Sequence, residues 1–307
     1  MRALHLSGTE VSLVERPFTP RPDEARVRVT LAGVCATDVE LQRGYMGFTG
    51  TPGHEFVGVI DGGPRDGERV VGDINCPCGA CPACRVGRGN HCPTRTVLGI
   101  LGRDGAFAEQ LSLPYANLHT VPDGVPDDCA VFVEPLAAAC RILEQVHVGP
   151  GRSVIVLGLG RLGQLCARVL ALTGATVTGV GRRNRALLPA GIASTDTPDE
   201  LDPADIVVDC TGSPNGLNLA TRLTRPQGTI VLKTTVHDPL PVTPTPWVID
   251  ELTVIGSRCG PFEPALRLLA AGLVDPRPLI SERAGLSPDV ITRASQPGVI
   301  KVLVEPG

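Results

Sequence analysis

Aromatic side chains are scarce in this 307-residue chain, at 3% of the total, whereas 36 Gly and 29 Pro are abundant. That balance suits many short strands joined by turns. An excess of basic charge is also missing. Lys and Arg number 28 against 32 Asp and Glu, for a net charge of −4 and a pI near 5.9, so neither a nucleic-acid footprint nor one for an anionic membrane surface is expected. No apolar run approaches the roughly 20 residues that cross a bilayer. Met1-Arg-Ala-Leu-His5 opens directly into a strand-like segment with no charged and apolar leader, so no secretory signal is expected and a cytoplasmic location follows. In a reducing compartment, eleven cysteines point to metal ligation before disulfides.

Four of those cysteines are tightly spaced. Cys78, Cys81, Cys84 and Cys92 read C-x2-C-x2-C-x7-C, with Gly and Pro between them. A short lobe of this kind can wrap four thiolates around Zn²⁺ and leave no open coordination position, so the expected metal is structural. Cys76, two residues upstream, offers an alternative register. Cys129, Cys140, Cys166, Cys210 and Cys259 sit in apolar surroundings and read as small buried hydrophobes.

The chain changes texture along its length. Residues 1–120 read as short strands, among them Arg26–Leu31 with period two and the apolar run Phe56–Ile60. A helical stretch follows over 131–148. Next comes strand–helix alternation: strand 153–157, helix 162–172, and strands 176–180, 206–210 and 228–232. Such alternation implies a parallel sheet covered by helices. After about residue 260 the pattern returns to helix, Pro-rich loop and a final strand at 299–304.

Gly158-Leu159-Gly160-Arg161-Leu162-Gly163 lies between the first strand and helix of that alternation, the context of a dinucleotide-binding turn. Its glycines permit a tight turn and close approach of a pyrophosphate at a helix N-terminus. A second metal constellation is discontinuous: Cys35, in Gly33-Val-Cys35-Ala-Thr37-Asp38, with His54-Glu55. Three mixed ligands and an exchangeable fourth position are what a Lewis-acid zinc requires. Glu134, in Val133-Glu134-Pro135-Leu136, reads either as a helix-terminus acid or as a further ligand of that metal, direct or through water.

Taken in order, these motifs resemble the zinc-dependent medium-chain dehydrogenase/reductase superfamily, the alcohol, sorbitol and threonine dehydrogenase group. The resemblance covers nearly the whole chain. It implies a GroES-like β-barrel-type catalytic domain at 1–136 and 262–307, carrying the zinc lobe at 76–92, and a Rossmann domain at 137–261, with the active site between the two. It implies Cys35, His54 and Glu134 as catalytic-zinc positions and Glu55 as an alternate ligand. Thr37 matches the hydroxyl that relays the substrate proton. Glu-Pro-Leu at 134–136 places the chain nearer the polyol, sugar and threonine dehydrogenases. Where many relatives carry a relay His this chain has Glu40, and its shorter length implies trimmed loops around the substrate.

The implied function is zinc-dependent hydride transfer between a primary or secondary alcohol and a nicotinamide cofactor. Gly181, Arg182, Arg183 and Arg185 stand where NAD enzymes place a carboxylate, so NADP(H) is expected over NAD(H). Thr211 and Lys301 complete the expected cofactor contacts. Tyr45, Phe48, Arg95 and Trp247 are candidates for lining the substrate site. A homodimer or homotetramer is expected, with residues 229–260 pairing across a two-fold axis. The alternatives are a redox-sensing zinc protein that keeps the cofactor fold as a binding module, and a zinc-free alkene or quinone reductase. The ordered Cys35, Thr37, His54 and Glu134 argue against the first, and the cysteine lobe against the second.

Overall fold

The computed structural model describes residues 1–235 and 242–307. These fall into two compact units, Met1–Glu134 with Ala265–Gly307, and Pro135–Pro264.

The first unit is built on a seven-stranded sheet. Its central strand, Glu24–Gly33, buries Ala25, Val27, Val29 and Leu31 on alternate positions. It pairs antiparallel with Glu55–Ile60 on one side, Val27 opposite Ile60 and Gly33 opposite Glu55. At its far end it pairs antiparallel with Lys301–Glu305, Gly33 lying opposite Leu303. Ile280–Gly285, Arg69–Gly72, Leu118–Thr120 and Gln110–Pro114 complete the sheet. Helix Ala36–Gln42 follows the central strand directly, so the register of one strand sets the positions of Cys35, Glu55 and Lys301 together.

The second unit is a six-stranded parallel sheet in the order Ala193–Thr195, Thr176–Val180, Ser153–Leu157, Ala204–Asp209, Thr224–Leu232, Thr253–Gly256. Its strands are apolar on both faces: Val154, Ile155, Val156 and Leu157 are all buried, as a sheet covered on both sides demands. The sequence of strands reverses direction at Ser153–Leu157, the switch point where such sheets bind dinucleotides. Two helices lie here: the first, Asp127–Ala130, precedes the stretch expected to be helical over 131–148, and the second, Val133–Gln145, is shorter than that stretch. The second ends at Gln145, and Gly149-Pro150 beyond it keeps the chain from resuming a helix there.

Thr253–Gly256 is an edge strand, and Val248 and Ile249 in the short helix before it are 77% and 73% exposed. Residues 236–241, part of the segment expected to pair across a two-fold axis, lie outside the described residues.

Asp205 ties three strands of the second unit together. Its carboxylate accepts the backbone N–H and hydroxyl of Ser153, each at 2.8 Å, and guanidinium hydrogens of Arg152 at 3.0 Å and Arg225 at 2.6 Å. The Ser153 amide above all, helped by the two arginines, holds its pKa well below the ordinary carboxylate range against the opposing effect of burial. A depressed folded-state pKa means a contribution fully present at neutral pH and lost as pH falls below about 4. Asp205→Ala should therefore cost about 1–3 kcal/mol at pH 7. Denaturation of variant and wild type across pH should show that gap closing towards acid; a gap that does not change with pH would refute this account.

Candidate active site

Cys35 is the N-cap of helix Ala36–Gln42, and Asp38 sits one turn inside it. Asp38 is fully buried; one carboxylate oxygen accepts the backbone N–H of Cys35 at 2.8 Å and the other that of Gly53 at 3.1 Å. That second bond carries the following residue, His54, to the helix end. His54 Nδ1 lies 3.3 Å from Asp38 Oδ1, close enough to pair electrostatically but not aligned as a hydrogen bond. One buried carboxylate thus positions both Cys35 and His54, much as carboxylates orient metal-bound histidines.

Cys35 Sγ, a ring nitrogen of His54 and a carboxylate oxygen of Glu55 all lie within 4.8 Å of one another. Burial alone would push the Cys35 thiol up, but the charge and hydrogen bond of His54 outweigh it and bring the thiol down to about 6. His54 is pushed up in turn, Asp38 and Cys35 overcoming the penalty of its burial. Each side chain thus favours the charged form of the other, and the donor set fits zinc. The Thr37 hydroxyl lies 3.8 Å from Cys35 Sγ.

Other expected residues fall elsewhere. Glu134 stands in the first turn of helix Val133–Gln145 and is not among the converging ligand atoms. Glu40 accepts from Arg43 at 2.8 Å on a partly exposed helix face, occupied with that guanidinium and not with Thr37. Lys301, expected at the cofactor, is instead 1% exposed and ion-paired with the equally buried Glu55. Burial draws its pKa down to about 8, with the Cys35 and Asp38 charges opposing. Of the expected substrate-lining residues, Phe48 packs in the core with Leu6 and Leu41, and Tyr45 rests partly buried against them. Arg95 donates to the Cys92 carbonyl, and Trp247 packs on the core of the second unit with its indole N–H on Thr221. Aromatic type alone did not distinguish a lining residue from a core one.

The sulfurs of Cys78, Cys81, Cys84 and Cys92 also lie within 4.8 Å of one another. The Cys78 amide donates to Cys92 Sγ at 3.4 Å and draws that thiol down to about 6, while burial and the neighbouring thiol of Cys81 push Cys84 up to about 12. Four sulfurs this close cannot all ionise without a cation among them, so the set fits a closed thiolate metal site. Cys76 is outside it, buried against the Ile74 carbonyl and raised to about 11. Cys210 and Cys259 are only partly buried, unlike the other three scattered thiols, and Cys210 Sγ lies 3.9 Å from Cys166 Sγ.

In the second unit the glycine turn has a steric logic. Gly158 has φ +86°, and a Cβ there would fall 2.7 Å from the Cys210 carbonyl oxygen; one at Gly163 would fall 1.8 Å from the Gly158 oxygen. Around Gly160 nothing lies within 4 Å, leaving open the space a pyrophosphate needs at the N-terminus of helix Arg161–Ala171. Leu159 packs under Gly181, Leu162 lies in the first turn, and Thr211 rests against Gly158 with its hydroxyl on Asp209 at 2.7 Å. Asn184, at φ +65°, donates to the Leu159 carbonyl and binds the two loops together; its tolerance of left-handed backbone was the signal available in sequence. Arg185 forms a two-pronged pair with Asp196, while Arg182 and Arg183 are exposed and have no hydrogen bond or ion pair among the described residues.

Residues 21–123 match the alcohol dehydrogenase GroES-like domain. Over 89% of its length the chain is 31% identical to the starvation-sensing protein RspB of Escherichia coli K12, of which it covers 88%. It belongs to the zinc-dependent medium-chain dehydrogenase/reductase superfamily. Other relatives agree. It is 28% identical to L-galactonate-5-dehydrogenase of E. coli K12, with 86% of this chain and 85% of that one covered. A zinc-binding dehydrogenase of Sinorhizobium meliloti 1021 bound to NADP superposes with TM-score 0.88 at 30% identity, over 99% of both chains. The rspB alcohol dehydrogenase of E. coli CFT073 complexed with NADH does so with TM-score 0.89 at 28% identity, over 100% of this chain and 99% of that one. Among the described residues no helix is long and apolar enough to cross a membrane.

Cys84→Ala should release any metal held by the four-cysteine lobe and lower the thermal midpoint by roughly 5–10 °C. The metal at Cys35 and His54 should stay. Metal analysis finding the reverse, that site emptied at an unchanged midpoint, would contradict the assignment.

Proposed function

We propose that the protein is a zinc-dependent alcohol dehydrogenase that transfers a hydride between a polyol, sugar or amino-alcohol carbinol and NADP(H). The observation that carries this reading is the convergence of Cys35, His54 and the Thr37 hydroxyl at the N-terminal end of helix Ala36–Gln42. Cys35 and His54 would hold the zinc, with Glu55 beside them. When bound, the ion supplies Lewis acidity that stabilises an alcohol oxygen as its proton leaves. Thr37 is placed to accept that proton, and its hydroxyl can pass it on without acquiring charge. Asp38 holds Cys35 and His54 in place while this occurs.

The cofactor argument rests on charge. Arg182 and Arg183 are unengaged guanidiniums just past strand Thr176–Val180, at the position that meets the adenosine ribose. Asp196, the acid at the neighbouring strand end, is already neutralised by Arg185. A 2′-phosphate would find cations there and no free carboxylate from Asp196. Gly181→Asp is a poor probe of this, because a Cβ at Gly181 would press on Leu159 at 3.0 Å.

A screen of polyols, sugars, amino alcohols and aryl alcohols, read by nicotinamide absorbance, should find at least one substrate, and Cys35→Ser should abolish its turnover while the protein stays folded. Full activity in that variant would sink the metal assignment. Replacing Arg182 and Arg183 with Ala should raise the NADPH dissociation constant roughly tenfold for each guanidinium lost while scarcely changing that of NADH. Equal losses for both nucleotides would show that the arginines do not read the phosphate.

A further inference from the structure

We propose that Lys301 is a positioning residue for the metal site, holding Glu55 in an ion pair and so keeping its carboxylate out of the coordination offered by Cys35 and His54. The inference rests on the metal-dependent reading above. Its starting point is the sheet. Gly33 lies on the central strand between Glu55 on one neighbour and Leu303 on the other. Lys301 is two residues before Leu303 and therefore on the same face of its strand.

Gly33 is what lets the two side chains meet. A Cβ there would stand 2.7 Å from Lys301 Cε, 2.8 Å from Glu55 Oε2 and 2.9 Å from Lys301 Nζ. The lysine and the glutamate come together in the trough that the missing side chain leaves. The ammonium also lies 5.2 Å from the centre of the Phe132 ring, whose face favours a cation. Lys301 and Glu55 are each 1% exposed, so neither has water as an alternative partner.

Charge balance then assigns the pairing a purpose. With Cys35 ionised as a ligand, the site holds three anions: the half-buried Cys35 thiolate and the buried Asp38 and Glu55. A divalent ion on Cys35 and His54 compensates two of them, and Lys301 compensates the third. Buried charge without a partner is strongly unfavourable. If Lys301 lost its charge, Glu55 would be the surplus anion, with a donor oxygen already within 4.8 Å of the Cys35 and His54 donors. Its remaining way to find a cation would be to bind the metal and occupy the position an alcohol needs.

Cobalt(II) in place of zinc tests this by its absorption, using the cobalt–thiolate band that Cys35→Ser removes, so that the four-cysteine lobe does not contribute. Lys301→Met should shift that band and lower turnover roughly 10–100-fold, the range typical for residues that support metal ligands. Lys301→Arg, which keeps the charge, should retain the wild-type band. Glu55→Gln added to Lys301→Met should restore the band, because the surplus carboxylate is gone. An unshifted band in Lys301→Met, or no restoration in the double variant, would overturn the proposal. Should Lys301→Met fail to fold, Glu55→Gln alone decides: an unmoved band supports Glu55 as a non-ligand, and a shifted one overturns it. A wild-type protein without any Cys35-dependent band would overturn the metal-dependent reading as well, whereas a normal band unmoved by Lys301→Met overturns this proposal alone.

Discussion

Anions sealed from water must have cations sealed in with them, and that requirement governs the first unit. Asp38 and Glu55 are buried beside a thiol whose pKa has fallen to about 6. The helix end, the Gly53 amide, His54 and the last strand each bring a donor or a positive charge to that set. The β-sheet register is what delivers them. A one-residue slip would turn Glu55 or Lys301 to the opposite face and leave the remaining charges without partners.

At its glycine turn the second unit is governed by space. Backbone from two strand ends and a helix approaches so closely at Gly158 and Gly163 that side chains there would collide with carbonyl oxygens. Gly160 alone is open, so the same three-glycine motif both packs the helix on the sheet and reserves room for a ligand. The network from Asn184 through Gln164 to Arg168 then buttresses that turn from behind, each side chain bonded to the next loop or helix turn.

Whatever depends on neighbours in sequence was legible there. The sulfurs that converge in the lobe are the four picked out by spacing, because a short loop closes on itself wherever it sits in the fold. The glycine turn was legible for the same reason, its requirement being local backbone. Asp38 was not, since a carboxylate three residues after a cysteine looks like an ordinary helix-start acid until the Gly53 amide arrives from another segment. The Lys301–Glu55 pair was not legible either, because the two lie 246 residues apart and only the pairing of three strands brings them together. Phe48 and Trp247 pack against core residues, and their type could not announce this because an aromatic ring serves equally well in a core or a binding wall.

The connectivity of the first unit bears on how the chain is made. Strand Glu24–Gly33 can pair with Glu55–Ile60 early in synthesis, but its other partner, Lys301–Glu305, emerges only after the whole of the second unit. On the ribosome, residues 135–264 form a contiguous unit able to collapse while the first remains an open sheet edge waiting for its closing strand. During that interval Glu55 has no ammonium beside it. The buried pair is thus the last feature of the first unit that can form, because its two halves come from opposite ends of a chain whose middle folds by itself.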